Sequence, residues 1–225
     1  MAGDETEKAK AQIRRIVAES LVRLTPSHRR AASIEVAQRL MSLPSVRDAR
    51  TIMVFLSLPT EIDTWPAIRW AWQENKRVVV PRIEAAGPEV PLTRRTMVAV
   101  VLRRADVDGV ALHPDVRPGA LGILEVPGAP PVEIGDIDVL LMPCQAVDRA
   151  GNRLGKGGGF FDRLLARRDM RAERIVLAFR EQVLDEVPVT PTDRPVDRIV
   201  TDAEVLTFNR PGKKRVRKGV RNPTT

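Results

Sequence analysis

The apolar positions near the amino terminus repeat with the spacing of amphipathic helices. They recur every three or four residues from position 8 to 24, and again after Ser27, which predicts two successive helices. Ser27 is a suitable N-cap for the second helix because its hydroxyl can accept a hydrogen bond from a first-turn N–H. The predicted apolar stripe of that helix comprises Ala31, Ile34, Ala37, Leu40 and Met41.

Beyond these helices, short runs that are apolar at every position alternate with helical segments. Such runs are typical of strands buried on both faces, as in a parallel sheet. The predicted strands are 51–58, 77–80, 97–102, 137–142, 174–179 and 196–201, and the predicted helices between them are 65–75, 160–168 and 181–186. The alternation predicts an α/β fold, a single layered domain over 1–208 with a mostly parallel, Rossmann-like sheet flanked by helices.

Composition points to a cytoplasmic protein with no membrane partner. Cys144 is the only cysteine, so an intramolecular disulfide is excluded and a reducing compartment is expected. The first residues are acidic and polar, unlike a signal peptide. No apolar stretch approaches the ~20 residues of a membrane span.

The basic charge of the chain is concentrated at its carboxyl terminus. Of the net charge of +8, residues 205–225 contribute +7, which leaves +1 for residues 1–204. The segment 209–225 is therefore predicted to be a disordered basic tail. A solubilising role is expected for it, with at most weak contact to RNA or another polyanion, because no aromatic residue alternates with its cations.

One segment concentrates the glycines of the chain. Five of the 14 glycines lie between positions 151 and 159, where they are predicted to join the strand 137–142 to the helix 160–168. Glycines let backbone N–H groups approach an anion closely, and a helix N-terminus adds a partial positive charge. Arg153 and Lys156 add full positive charges, so the residues favour a phosphate site.

The spacing of this segment matches neither of the common phosphate-loop motifs. It lacks the GxxxxGK[ST] pattern, and it is not a GxGxxG run followed by an acid on the next strand. An ordinary flexible glycine turn is the alternative interpretation. Two cations and the acid Asp162 flank the turn, however, so we predict phosphate binding with Asp162 placed to hold a metal ion.

Other charged residues are candidates because of where the predicted elements end. Glu61 follows the strand 51–58, and open α/β sheets bind ligands beyond the carboxyl ends of their strands. Asp193 lies after the strand 174–179 and could share one Mg²⁺ with Asp162. Lys10 and Arg14 share one side of the first helix, where their spacing alone favours a solvated face.

Four segments, in order, resemble the 5-formyltetrahydrofolate cyclo-ligase (methenyltetrahydrofolate synthetase) family. They are 10–14 (KAQIR), 55–64 (FLSLPTEIDT), 148–162 (DRAGNRLGKGGGFFD) and 178–182 (AFREQ), the last followed by Val187-Pro188 and Asp193. Four ordered blocks are far more specific than one glycine loop. The chain departs from many members at Phe160 and Phe161, which replace tyrosines, and in the run 144–147 (CQAV).

The resemblance implies an enzyme that uses ATP and Mg²⁺ to close 5-formyltetrahydrofolate to 5,10-methenyltetrahydrofolate, with release of ADP and phosphate. The formyl oxygen is phosphorylated, N10 attacks, and no covalent nucleophile is required. The resemblance assigns ATP to Lys10, Arg14, Arg153, Leu154, Gly155, Lys156, Gly157, Gly158, Gly159, Phe160 and Phe161, with catalytic roles for Arg153 and Lys156. It assigns the folate to Leu56 and Glu61, and Mg²⁺ to Asp162 and Asp193.

The expected partners are therefore ATP and a reduced folate, bound by a monomer or a weak homo-oligomer. Two alternatives remain open at this point. One is a family paralogue without this activity that binds RNA or another polyanion through its tail. The other is an ATP-dependent enzyme that acts on a different formyl or carboxylate substrate.

Overall fold

The computed structural model describes residues 2–84, 89–91, 94–103, 107–108, 111–112, 116–119, 124–126 and 128–208 of the 225-residue chain. The predicted basic tail, 209–225, lies outside the described residues. Within them, no helix is both long enough and apolar enough to cross a membrane.

The α-helices in the described part of the chain are α1 (Ala2–Arg23), α2 (Pro26–Ser42), α3 (Pro44–Asp48), α4 (Trp65–Gln73) and α5 (Phe160–Leu165). The first two are the predicted amino-terminal helices. The predicted cap of α2 is wrong by two residues. Thr25, not Ser27, accepts the hydrogen bond from the His28 N–H at 3.2 Å, because Pro26 takes the first helical position, where its missing N–H costs nothing.

The buried face of α2 also differs from the predicted stripe. The helix buries Ala32, Ser33, Val36, Ala37 and Leu40, whereas Ile34 is 46% exposed. Two overlapping stripes were available in this alanine-rich helix. Packing against the sheet selects the one centred on Val36 and Leu40, which are both almost fully buried.

The strands fall into one large sheet and three small ones. In the described residues they are β1 (Thr51–Met53), β2 (Arg77–Glu84), β3 (Thr96–Val101), β4 (Val107–Asp108), β5 (Ala111–Leu112), β6 (Arg117–Pro118), β7 (Leu124–Glu125), β8 (Pro131–Val132), β9 (Val139–Met142), β10 (Ala146–Asp148), β11 (Arg153–Leu154), β12 (Glu173–Ala178), β13 (Val183–Leu184), β14 (Arg198–Thr201) and β15 (Val205–Thr207).

The large sheet is a doubly wound α/β sheet. Its order is β15-β14-β12-β9-β1-β2-β3-β8, and the neighbours from β14 to β2 pair in parallel. Numbered along the chain, these five parallel strands lie in the order 2-1-3-4-5, so the winding reverses between β1 and β9. In such sheets the reversal leaves a crevice at the carboxyl ends of the two strands, where ligands bind. The predicted α/β fold with a mostly parallel sheet is confirmed.

Successive strand residues point to opposite faces, and this alternation builds two cores. Ile52 and Val78 belong to the core that is covered by α1, α2 and α4, whereas Met53 and Val79 belong to the core that is covered by α5. Because both faces of the central strands are buried, their carboxyl ends form a fixed frame for the loops that follow them.

The predicted helix at 181–186 is wrong. A 3₁₀ turn at Arg180–Gln182 leads directly into β13, which pairs with β10. The buried side chain of Gln182 accepts a hydrogen bond from the Phe179 N–H and donates one to the Cys144 carbonyl oxygen, at 2.9 and 2.8 Å. These two hydrogen bonds satisfy the Phe179 N–H and the Cys144 carbonyl oxygen, so the 3₁₀ turn does not have to extend into a longer helix.

The element before the glycine run also differs from the prediction. The hairpin of β10 and β11 lies between β9 and the glycine run, and it forms a small sheet with β13. The helix that follows ends at Leu165 rather than at 168. Strands of two and three residues are too short to produce a recognisable hydrophobic period, so the sequence pattern did not predict them.

The buried carboxylate of Asp148 holds this hairpin together. It accepts hydrogen bonds from the N–H groups of Ala150 and Asn152, from the Asn152 amide, and from the N–H of Val187, at 2.8–3.0 Å. One side chain therefore fixes the hairpin turn and the start of the segment 187–194.

We expect Asp148→Ala to lower the free energy of unfolding by about 3 kcal/mol, because the buried N–H of Val187 loses its acceptor and the hairpin turn loses three further hydrogen bonds. Urea denaturation followed by circular dichroism would measure the loss. Asp185→Ala is the matched control, since this carboxylate is exposed and its removal should change stability by no more than about 0.5 kcal/mol. Equal effects of the two changes would contradict the role of Asp148.

Candidate active site

A cavity of about 440 Å³ opens where the winding of the sheet reverses. It is lined by Phe55 and Leu56, which lie just beyond the end of β1, and by Pro143 and Cys144, which lie just beyond the end of β9. The structure brings every site residue predicted from the sequence to this one cavity. They are Lys10, Arg14, Leu56, Glu61, Arg153, Leu154, Gly155, Lys156, Gly157, Gly158, Gly159, Phe160, Phe161, Asp162 and Asp193.

The glycine loop, residues 155–159, borders this cavity in a defined conformation. Gly157 and Gly159 have φ angles of +99° and +63°, in the left-handed region that favours glycine. The Arg14 Nε donates to the Gly155 carbonyl oxygen at 2.9 Å, and the Arg163 Nη1 donates to the Gly158 carbonyl oxygen at 3.0 Å. Side chains from α1 and α5 therefore hold the loop near both of its ends.

Lys10 is buried in an ion pair on one side of the cavity. Its side-chain Nζ lies 2.5 Å from Asp193 Oδ2, which also accepts hydrogen bonds from the N–H and hydroxyl of Thr190. Burial raises the pKa of Asp193, but the hydrogen bonds from Lys10 and Thr190 outweigh burial and hold this pKa below its ordinary value. The expectation of a solvated face for Lys10 and Arg14 is wrong, because the segment 187–194 and the glycine loop pack against that side of α1.

A second buried pair joins Arg153 to Asp162. Arg153 Nη2 lies 3.1 Å from Asp162 Oδ2, and the guanidinium lies over the ring of Phe161. Asp162 Oδ1 accepts a bond from the N–H of Arg194 at 3.3 Å. Among the described residues, the buried Arg153 Nε has no hydrogen-bond partner.

Gly155 leaves room for that guanidinium. A Cβ on Gly155 would lie 2.8 Å from Arg153 Nη1, which is closer than real Cβ contacts. The glycine is therefore required for the close approach of the loop to Arg153, in addition to any backbone contact with a ligand.

A third ion pair crosses the cavity between the glycine loop and the turn after β1. Lys156 Nζ lies 2.7 Å from Glu61 Oε1. Glu61 Oε2 accepts a hydrogen bond from the Leu58 N–H at 2.9 Å, which fixes the carboxylate on its own turn.

Asp162 and Asp193 offer two carboxylates to one cavity. A hydrogen bond connects their two segments, because Asp162 accepts it from the N–H of Arg194, the residue after Asp193. The described residues contain no group of three or more His, Cys, Asp or Glu side chains that could hold a metal. Two carboxylates on one cavity fit Mg²⁺, which takes one or two carboxylates and completes its shell with phosphate oxygens and waters.

Sequence reasoning missed several residues that line the cavity. Thr190, Thr192 and Arg194 come from the segment 187–194, and Arg163 comes from α5. Arg163 follows Phe160 by three residues and lies over its ring, a helical spacing that could have flagged it. The two threonines carry no local signal, because only the fold brings their segment to the glycine loop.

Cys144 lines the cavity floor, but its thiol is not activated. Burial raises the pKa of Cys144 to about 12, although the positive charge of Arg153 opposes this shift. Nucleophilic cysteines have lowered pKa values instead. The raised pKa therefore argues against Cys144 as a nucleophile.

We expect Cys144 to resist alkylation in the folded protein. At pH 8 a thiol with this pKa is about 10⁻⁴ ionised, so iodoacetamide should react at least about 100-fold more slowly than with the urea-unfolded chain. Mass spectrometry of timed samples measures both rates. Equal rates in the two states would show that the thiol is accessible and ionised.

A doubly wound sheet with a cation-lined crevice at its reversal point defines the class of α/β proteins that bind ligands at the carboxyl ends of their strands. Within this class, the chain belongs to the 5-formyltetrahydrofolate cyclo-ligase family, whose family model matches residues 6–202.

Named relatives cover most of this chain. The 5-formyltetrahydrofolate cyclo-ligase of Escherichia coli (strain K12) is 32% identical over 185 residues, which are 81% of this chain and 94% of that protein. The enzyme of the same name from Mycolicibacterium smegmatis is 30% identical over 68% of this chain and 73% of its own length. The solved Aquifex aeolicus 5,10-methenyltetrahydrofolate synthetase superposes with a TM-score of 0.71 at 26% identity, covering 93% of this chain and 98% of that one.

Proposed function

We propose that this protein closes 5-formyltetrahydrofolate to 5,10-methenyltetrahydrofolate at the expense of ATP, with release of ADP and phosphate. The observation that carries the proposal is the meeting of the glycine loop, two ion pairs with buried cations and the turn after β1 in one cavity. Such a cavity can hold a phosphate chain next to a second, less polar ligand. The name of the family supports a formylated tetrahydrofolate as the second ligand, and we assign the phosphate chain to ATP.

The proposed reaction needs activation because a formamide oxygen is a poor leaving group. The formyl oxygen attacks the γ-phosphorus, an O–P bond forms, and the bond from this phosphorus to the β,γ-bridging oxygen breaks to release ADP. The N10 lone pair then attacks the activated formyl carbon and N10 loses its proton. The C–O bond breaks with its electron pair, and inorganic phosphate leaves.

Protein groups accelerate such a transfer mainly by positioning the reactants and neutralising charge. Lys10, Arg14, Arg153 and Lys156 are the cations of the cavity that we assign to the triphosphate, together with the backbone of the glycine loop. Arg153 lines the cavity, and phosphate oxygens are strong acceptors for a guanidinium.

Asp162 and Asp193 are the residues that would hold Mg²⁺. Bound there, Mg²⁺ would supply positive charge against the charge that develops on the phosphates. In the protein itself, Arg153 and Lys10 orient the two carboxylates, and the lowered pKa of Asp193 keeps it ionised at neutral pH.

The folate is assigned to the other side of the cavity. Leu56 is 2% exposed and provides an apolar surface at the end of β1. Glu61, on the turn that follows, presents a carboxylate that can accept hydrogen bonds from folate N–H groups. A folate bound to Glu61 would lie beside the glycine loop, as transfer from ATP requires.

The substrate assignment can be tested by following ADP release with a panel of acceptors. We expect release with 5-formyltetrahydrofolate and Mg²⁺, and background rates with 10-formyltetrahydrofolate, formate and simple carboxylates. Release with one of these other compounds, and none with 5-formyltetrahydrofolate, would assign the protein to a different ATP-dependent reaction.

A further inference from the structure

The ion pair between Lys156 and Glu61 joins two residues that the proposed function gives to different ligands. Lys156 belongs to the glycine loop on the ATP side, and Glu61 belongs to the folate side. Their charged atoms lie 2.7 Å apart. The protein therefore contains a direct contact from one binding region to the other.

This contact occupies the oxygen of Glu61 that would otherwise face a ligand. The Leu58 N–H binds Oε2, and Lys156 binds Oε1. A folate N–H that approaches this carboxylate must displace the ammonium group or share its acceptor. The paired state is therefore a poorer folate site than a state with Oε1 released.

The ammonium group of Lys156 is able to leave Glu61. Its side chain is 34% exposed, whereas that of Glu61 is 9% exposed, so the lysine end of the pair has room to move while the carboxylate stays in place. Arg14 holds the adjacent backbone in place through the Gly155 carbonyl oxygen, so the movement is confined to the Lys156 side chain. A swing of the side chain is sufficient.

Phosphate groups in the cavity would compete directly with Glu61 for this ammonium. The glycine loop carries Lys156 between Gly155 and Gly157, and a triphosphate on this loop brings several negative charges against the single charge of Glu61. Charge-assisted bonds to phosphate are among the strongest available to a lysine. Nucleotide binding thus favours the state in which Glu61 Oε1 is released.

We propose that Lys156 couples the two ligands by exchanging Glu61 for nucleotide phosphate, so that ATP prepares the folate side of the cavity. This inference rests on the proposed function. Because coupling free energies are reciprocal, the folate should tighten nucleotide binding by the same factor as the nucleotide tightens folate binding. The expected factor is roughly 5- to 50-fold, within the usual range for such coupling.

Calorimetry on the full chain tests this directly. The dissociation constant of 5-formyltetrahydrofolate is measured with Mg²⁺ alone and with Mg²⁺ plus saturating β,γ-imido-ATP. In the unmodified protein the nucleotide should tighten folate binding at least about 5-fold. In Lys156→Met the ratio of the two constants should fall to about 2-fold or less, with folate binding without nucleotide tighter than in the unmodified protein.

Two further variants separate coupling from general charge loss. Lys156→Arg keeps the charge and should preserve the ratio. Arg194→Met removes another cation that lines the same cavity but does not contact Glu61, so both constants shift while their ratio stays at the original value. Circular dichroism confirms that each variant is folded, and Lys156→Gln replaces Lys156→Met if that variant is not.

The outcomes distinguish the inference from the function on which it rests. A ratio near 1 in the unmodified protein, or an undiminished ratio in Lys156→Met, overturns the coupling while both ligands still bind. Failure of the unmodified protein to bind the nucleotide or the folate at all overturns the proposed function, and the coupling with it.

Discussion

Replacement of Arg153 by alanine is expected to lower kcat/KM for ring closure by about 10²- to 10³-fold, the loss typical of removing one preorganised donor to developing charge. Arg153 is 7% exposed, borders the glycine loop, and has a buried Nε that no described residue satisfies. The change removes this donor and also frees Asp162 from its ion pair. Steady-state kinetics with ATP and 5-formyltetrahydrofolate would measure the effect.

Two controls make the Arg153 result specific. Arg149→Ala removes an arginine from the same hairpin, but this side chain is exposed, pairs with Glu204, and should leave kcat/KM unchanged. Arg153→Lys keeps the charge without the two-pronged guanidinium and should recover only part of the loss. A normal rate in a folded Arg153→Ala variant would show that the assigned phosphate site is wrong.

The second large effect is expected from Asp162→Asn, which should reduce turnover by roughly 10²-fold at ordinary magnesium concentration. The amide keeps the size of the side chain, but its single oxygen can accept only one of the two hydrogen bonds that Asp162 accepts, at Oδ2 from Arg153 and at Oδ1 from the Arg194 N–H. It removes the negative charge that Mg²⁺ requires. The half-saturating concentration of Mg²⁺ should therefore rise, and excess Mg²⁺ should restore part of the rate.

The dependence on magnesium separates a ligand from a structural residue. Asp169→Asn is the matched control, because Asp169 lies just beyond α5, is exposed, and pairs only with Arg167 among the residues that the structure describes. It should leave both turnover and the magnesium requirement unchanged. If Asp162→Asn lost activity without any shift in the magnesium requirement, Asp162 would act by positioning Arg153 and not by binding metal.

The fold and the location of the site followed from patterns that are local in the chain. Continuous apolar runs such as 137–142 predicted buried parallel strands, and the glycines between 151 and 159 marked the loop. The carboxyl end of the predicted strand 51–58 indicated Glu61 as a site residue, because ligands bind beyond strand ends in this type of sheet. These inferences need only neighbouring residues.

The contacts inside the site depend on residues far apart in sequence, so no local pattern could show them. Lys10 meets Asp193 across 183 positions, and Arg14 meets the Gly155 carbonyl across 141. Helical spacing alone placed Lys10 and Arg14 on a solvated face. The family resemblance assigned both to ATP, and the structure shows that they line the cavity.

The central claim is that this cavity drives ring closure with ATP. The most direct measurement mixes the purified protein, in excess over 5-formyltetrahydrofolate, with ATP and Mg²⁺, and follows methenyl absorbance and ADP together. Our account predicts that both products appear in step, in equal amounts, and only when ATP and Mg²⁺ are present. Folded protein that forms no methenyl product even in excess over the substrate would contradict it.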